Sequence, residues 1–162
     1  MADVELHIIV TLYDEKCQSS SLIETHHWAL VVLFGRDRGK RMHLIGNPTS
    51  WIYESKDIKK FGASRTMRSS IKVGRVRSSH LQWMSDKLRE VEVRMNDPTY
   101  NCQAWVRDAL QLLQRYPDDI SIDLAAPENL TRQLQVGLHD WCYPQPGFKE
   151  IEEELFPSED EE

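Results

Sequence analysis

Hydrophobic positions open the chain as a run, Leu6 to Tyr13 (Leu-His-Ile-Ile-Val-Thr-Leu-Tyr). A short β-branched, apolar run of this kind predicts a buried strand. A polar loop follows from Asp14 to Ser21, and His26 to Phe34 reads as a second strand. Gly35 and Gly39 bracket a charged turn, and Arg41 to Gly46 reads as a third strand. Residues 26–46 therefore predict a β-hairpin, ended by Asn47-Pro48. The basic stretch 55–70 has few apolar residues and reads as a surface loop. Residues 71–77 alternate apolar with basic or Gly, which predicts a half-exposed strand with its basic face outward.

The period then changes. Leu81, Met84, Leu88, Val91 and Met95 recur at helical spacing, so a helix is expected over about 80–95, with Ser79 as its cap. Asn96-Asp97-Pro98 breaks it. A second helix is expected over 101–115, with Trp105, Val106, Ala109, Leu112 and Leu113 inward. Pro127 opens a third, ending near Gly137. These parts make an α+β fold: a mainly antiparallel sheet with helices packed on one side. One domain, residues 1–148, is expected, followed by an acidic and mobile tail, 149–162. No internal repeat is visible.

Charge alters this picture more than composition does. The formal net charge is −6, yet residues 149–162 hold eight acidic side chains and one Lys, which leaves the body at +1. Residues 55–79 carry eight Lys and Arg against Asp57 alone. A basic strip on a near-neutral body attracts polyanions whatever the total charge. No apolar run approaches the roughly 20 residues that cross a bilayer. The Met-Ala-Asp-Val-Glu-Leu start lacks a basic n-region, so no signal peptide is expected. Cys17, Cys102 and Cys142 are widely separated, which suits neither a disulfide framework nor a metal site. A reducing, cytoplasmic setting is the simplest expectation, with no metal or cofactor.

Cys102 begins the predicted second helix, where free N–H groups and the helix dipole favour a thiolate and can hold an oxyanion. The plainer alternative is a buried structural thiol. His26 and His27 point to opposite faces of their strand. An imidazole there can take a proton from a thiol, and His43 on the partner strand can orient it. Taken singly, each histidine is more readily read as a surface residue. Tyr100, Asn101 and Gln103 flank the thiol and are candidates for binding substrate, with Asn101 equally a helix cap.

Together, His27-Trp28-Ala29-Leu30, then His43-Leu44, then Asn101-Cys102 opening a helix, resemble the permuted papain-like thiol superfamily, and within it the lecithin:retinol acyltransferase type. The resemblance covers roughly residues 25–113. It implies a permuted papain-like fold with Cys102 as nucleophile, His27 as base and His43 as the orienting residue. Three departures stand out: Gln103 in place of the usual acidic residue, a longer His27–His43 interval, and no membrane anchor. The last argues against a lipid acyl donor.

The basic strip then suggests an acyl donor carried on a polyanion. The size and motif set are also similar to the fungal arginine-containing cyclodipeptide synthases. That resemblance implies arginyl-tRNA and a second charged tRNA as substrates and an arginyl thioester on Cys102. The implied product is an arginine-containing cyclic dipeptide. Arg65, Arg68, Lys72, Arg75 and Arg77 are the expected phosphate contacts. Glu24, Glu54 and Asp140 are candidates to pair the substrate guanidinium. Three alternatives stay open: a Cys-His hydrolase of amide or isopeptide bonds, a lipid acyltransferase-like enzyme, and a non-catalytic binding module.

Overall fold

The computed structural model describes residues 3–16, 26–35, 37–61, 67–123 and 130, with the main chain only for 14–16, 68 and 69. The expected helix at 127–137 (apart from Leu130), the 149–162 tail, Cys17 and Cys142 lie outside the described residues.

Six antiparallel strands form one sheet in the order β4-β3-β2-β1-β5-β6. They are β1 (Glu5–Lys16), β2 (His26–Leu33), β3 (Gly39–Ile45), β4 (Ile52–Ile58), β5 (Met67–Arg77) and β6 (Ile120–Ile122). Among the described residues the α-helical elements are α1 (Leu81–Lys87) and α2 (Cys102–Leu113). The α+β class, the 26–46 hairpin and the helix at 101–115 agree with the sequence pattern.

Alternation sorts the strand side chains into two clusters. Ile8, Val10 and Leu12 of β1, Trp28, Leu30 and Val32 of β2, and Met42 and Leu44 of β3 form a core with Met84 of α1 and Trp105, Val106, Ala109, Leu110 and Leu113 of α2. Each of the Val, Leu, Ile and Met side chains among them contributes roughly 1.5–3 kcal/mol by leaving water. The intervening residues Ile9, Tyr13, Ala29, Val31 and Leu33 form a smaller cluster with Phe61 and Met67 on the other face. Both helices thus pack against the same face of the sheet.

Four expectations change. The 55–70 stretch is not one loop: residues up to Ile58 complete β4, and β5 begins at Met67. Register against β3 explains this, because charged residues suffice on a strand at the sheet edge. The helix expected over 80–95 stops after Lys87 and a 3₁₀ turn, Leu88–Glu90. Val91 is extended (ψ 124°), so it reaches the core from a turn, and Met95 is 44% exposed. Ser79 does not cap it; the Asp3 carboxylate instead accepts from the Ser79 amide and hydroxyl. β6 has no counterpart in the sequence pattern, being three residues long.

Register also divides the basic strip. Ile8 pairs with Gly74 and Ile9 with Lys72, so Val73 is an extra residue in β5. That bulge turns Lys72 and Arg75, three apart, to one face and Val73 and Val76 to the core. Lys56 lies on β4, four strand spacings away, or roughly 19 Å across the sheet. The strip is therefore two separate groups of cations.

Candidate active site

β2 and β3 pair from Leu30/Met42 to Leu33/Gly39. Residues 26–29 continue β2 beyond that ladder, held on the other side by β1, where Tyr13 pairs with His27 and an irregularity precedes Lys16/His26. This stretch is where the candidate residues converge.

His27 shares a face with Tyr13 and Ala29, and His43 shares it from β3. His27 Nε2 lies 2.7 Å from His43 Nδ1, and His43 Nε2 lies 2.9 Å from Glu54 Oε1 on β4. His43 is 4% exposed. Burial holds its pKa down at about 4, with the His27 and Arg41 charges adding and the hydrogen bond to Glu54 opposing. The hydrogen bond from His43 in turn holds the Glu54 carboxyl below its ordinary value. The His43–Glu54 contact has ion-pair geometry, but with so low a pKa the imidazole is neutral at pH 7. It is a neutral N–H donating to a carboxylate.

Protonation then propagates along the chain of contacts. Ionised Glu54 only accepts, so His43 carries its proton on Nε2. His43 Nδ1 is then an acceptor, so His27 donates from Nε2. In neutral His27 the remaining nitrogen, Nδ1, has a lone pair for taking a proton. Glu54 was expected, if anything, to pair with a substrate guanidinium; here it fixes the tautomers of both histidines. Its position across from His43 needs the β4 register, and the residues that follow it, 55–70, read as a loop.

Cys102 opens α2. Asn101 is its N-cap, and Asn101 Oδ1 accepts from the amides of Gln103 and Ala104, each at 3.0 Å. Of the first-turn amides, that of Cys102 itself is the one this cap does not take. Gln103 Nε2 donates to the His26 main-chain oxygen at 2.8 Å, and Cys102 Sγ lies 3.9 Å from the same oxygen. The helix N-terminus is thus tied to the peptide joining His26 and His27. Sγ itself is fully buried.

The structure brings His27, His43 and Glu54 into one relay and brings Cys102 to the adjoining peptide. It places the thiol on the helix face of β2 and the relay on the opposite face. The thiol's hydrogen bond goes to the His26 main chain, while the His26 side chain is half-buried with Nδ1 lacking a hydrogen-bond partner.

Residues 6–126 match the model of a family of unknown function (DUF6914). The chain belongs to that family. The matched span runs from β1 through β6 and holds every residue of the relay together with Cys102. No curated protein and no solved structure matches the chain.

The flanking residues expected to bind substrate each make hydrogen bonds within the fold. The Tyr100 hydroxyl donates to the Glu92 oxygen at 3.1 Å, and burial pushes its pKa up. Asn101 is occupied as the cap, and Gln103 as the tie to His26. Of the expected phosphate contacts, Arg65 and the Arg68 side chain lie outside the described residues. Lys72, Arg75 and Arg77 are exposed on β5, but Arg75 meets Glu5 at 3.5 Å and Arg77 meets Asp3 at 3.9 Å. Lys72 is two strands and four residues from the level of His27, roughly 17 Å along the sheet. Glu24 and Asp140 lie outside the described residues. Among the described residues no cluster of His, Cys, Asp and Glu could hold a metal ion, and no helix is long and apolar enough to cross a membrane.

Proposed function

We propose that this protein is a cysteine-dependent acyl transferase of permuted papain-like architecture. Cys102 is the nucleophile, His27 the base, and His43 with Glu54 the orienting pair. The observation that carries this reading is the relay Glu54–His43–His27, which fixes His27 Nδ1 as the acceptor nitrogen, with Cys102 Sγ on the opposite face of β2 against the peptide that joins His26 to His27. A carboxylate or imidazole that fixes the base's tautomer is the usual companion of a thiol–imidazole pair.

The acyl donor in this reading is an aminoacyl ester carried on RNA, with arginine the first residue. This end of β2 turns as substrate enters, so that Sγ leaves the His26 carbonyl, meets His27 and passes it the proton on attacking the ester carbonyl. The tetrahedral intermediate collapses, His27 returns the proton to the departing ribose oxygen, and an arginyl thioester remains. The amine of a second aminoacyl ester displaces the thiol, forming one amide. The free amine of the dipeptidyl ester then attacks its own ester carbonyl, which forms the second amide and releases the second RNA. The ester is already activated, so no nucleotide triphosphate is consumed.

Metabolite mass spectrometry on bacteria expressing the wild-type chain beside Cys102→Ala tests this. An arginine-containing cyclic dipeptide made only by wild type is the expected result. Equal metabolite profiles would overturn it. The full burial of Sγ favours one other reading, in which Cys102 is a core residue of a binding module. Alkylation by iodoacetamide separates the two: a core thiol reacts only on unfolding.

A further inference from the structure

The relay face carries a second group of charges. Arg41 on β3 stands directly across from Lys56 on β4, two positions along the ladder from His43 and Glu54 and on the same face. Side chains at directly opposed positions share a face with Cβ atoms about 5 Å apart, and like charges placed so destabilise a sheet. The Arg41 guanidinium lies 5.9 Å from the Tyr13 ring centroid. Its Nε is buried without a hydrogen-bond partner. Its charge nonetheless acts on both His43 and Glu54, which places it beside the relay. With His43 neutral, Arg41, Lys56 and Glu54 leave a surplus of one positive charge at this edge of the site.

A half-buried guanidinium with an idle N–H group, opposed to a second cation, is costly unless an anion joins them. We infer that Arg41 and Lys56 form a subsite for one phosphodiester group of the acyl donor, next to the relay. A phosphodiester matches the surplus charge, and its two free oxygens suit two cations arriving from neighbouring strands. The cations of β5 lie farther off, on the other side of β2 and β1. This assignment rests on the acyl donor being borne by RNA, but its test does not need turnover.

The probe is cytidylyl-(3′→5′)-adenosine, which has a single phosphodiester, with adenosine as the uncharged control and inorganic phosphate as the free-anion arm. Binding to the full chain is followed by calorimetry or by shifts of amide resonances in β3 and β4. The dinucleotide should bind more tightly than adenosine, with a log–log salt slope of about −0.7, as for one phosphate on a single strand. Arg41→Gln and Lys56→Gln should each weaken it about tenfold, the scale of one charge-assisted hydrogen bond, and flatten the slope. Competition by inorganic phosphate at similar affinity would assign recognition to the anion alone; no competition would assign it to the nucleotide. Either supports the subsite.

Thermal melting is the second readout. Removing one of two opposed cations should leave Tm unchanged or raised, whereas a purely structural Arg41 would lower it. Dinucleotide affinity equal in wild type and both variants, or equal to that of adenosine, would overturn the subsite. Binding that depends on Arg41 and Lys56 in a protein with no transfer activity would overturn the acyl-transferase reading and leave the subsite standing.

Discussion

Acidification should destabilise this protein through one imidazole. His43 is 4% exposed and has a pKa of about 4, against an ordinary value of 6.5. Between those two values the unfolded chain binds a proton on His43 that the folded chain refuses. Unfolding is therefore favoured increasingly as pH falls through that window, by up to 1.36 kcal/mol per pH unit for one proton. Over the whole window the loss is about 3 kcal/mol, a large fraction of a typical 5–15 kcal/mol stability. Above pH 6.5 the group adds no pH dependence, and below about 4 the loss is complete. Glu54 acts in the same direction but lower, because its folded pKa lies below 4.5. Urea unfolding of wild type and His43→Gln at intervals from pH 4.5 to 7.5 measures the effect. The Gln variant keeps a donor and an acceptor but has no proton to bind, so the difference between the two curves isolates His43. Curves that stay parallel would refute the reasoning, as would an NMR titration that puts the His43 midpoint near 6.5.

Three further outcomes follow from the same geometry. Asn101→Ala removes a cap that serves two amides and should lower stability by about 1–2 kcal/mol in chemical denaturation, with Asn101→Asp restoring most of it. Tyr100→Phe removes one buried hydrogen bond and should cost about 1 kcal/mol in the same assay while leaving turnover unchanged; a fall in kcat/KM would return the hydroxyl to the substrate. Gly46→Ala should cost roughly 1–3 kcal/mol in thermal or urea unfolding, because φ is 108° there and a Cβ would sit 2.4 Å from the Ser50 oxygen.

Much of the scaffold could be read without coordinates because its signals are local. The Leu6–Tyr13 run, the glycine-bracketed hairpin and the Asn-capped, 3.6-periodic α2 each carry their own pattern. What escaped was decided at a distance. β4 carries Glu54, Lys56 and Asp57 among its seven residues and becomes a strand because β3 offers a ladder from Gly39 to Ile45. The helix after His80 ends early although the apolar spacing continues, since Val91 reaches the core equally well from an extended turn. The basic stretch looked continuous because its residues are close in sequence, and the sheet order separates them. For the site, residue types pointed to Cys102, His27 and His43. Glu54 required register, and the face occupied by the thiol required the placement of α2.

That placement bears on how the two halves of the site work together. His43 is a polar side chain set among the apolar positions Ala29 and Val31, on a face that already forms a hydrophobic cluster. An aliphatic residue there would bury with less penalty, since a desolvated imidazole needs both nitrogens matched. Both are matched, one by His27 and one by Glu54. On the other face, two successive residues of α2 spend their side chains on one main-chain oxygen, that of His26. Each arrangement has a structural account by itself, as a satisfied polar pair and as a helix tie. Neither account explains why they converge on the two sides of one peptide, beyond the Leu30/Met42 end of the β2–β3 ladder. In the proposed reaction, a thiol held apart from its base until substrate enters, and a base whose acceptor nitrogen is fixed in advance by His43 and Glu54, would give that convergence a chemical reason.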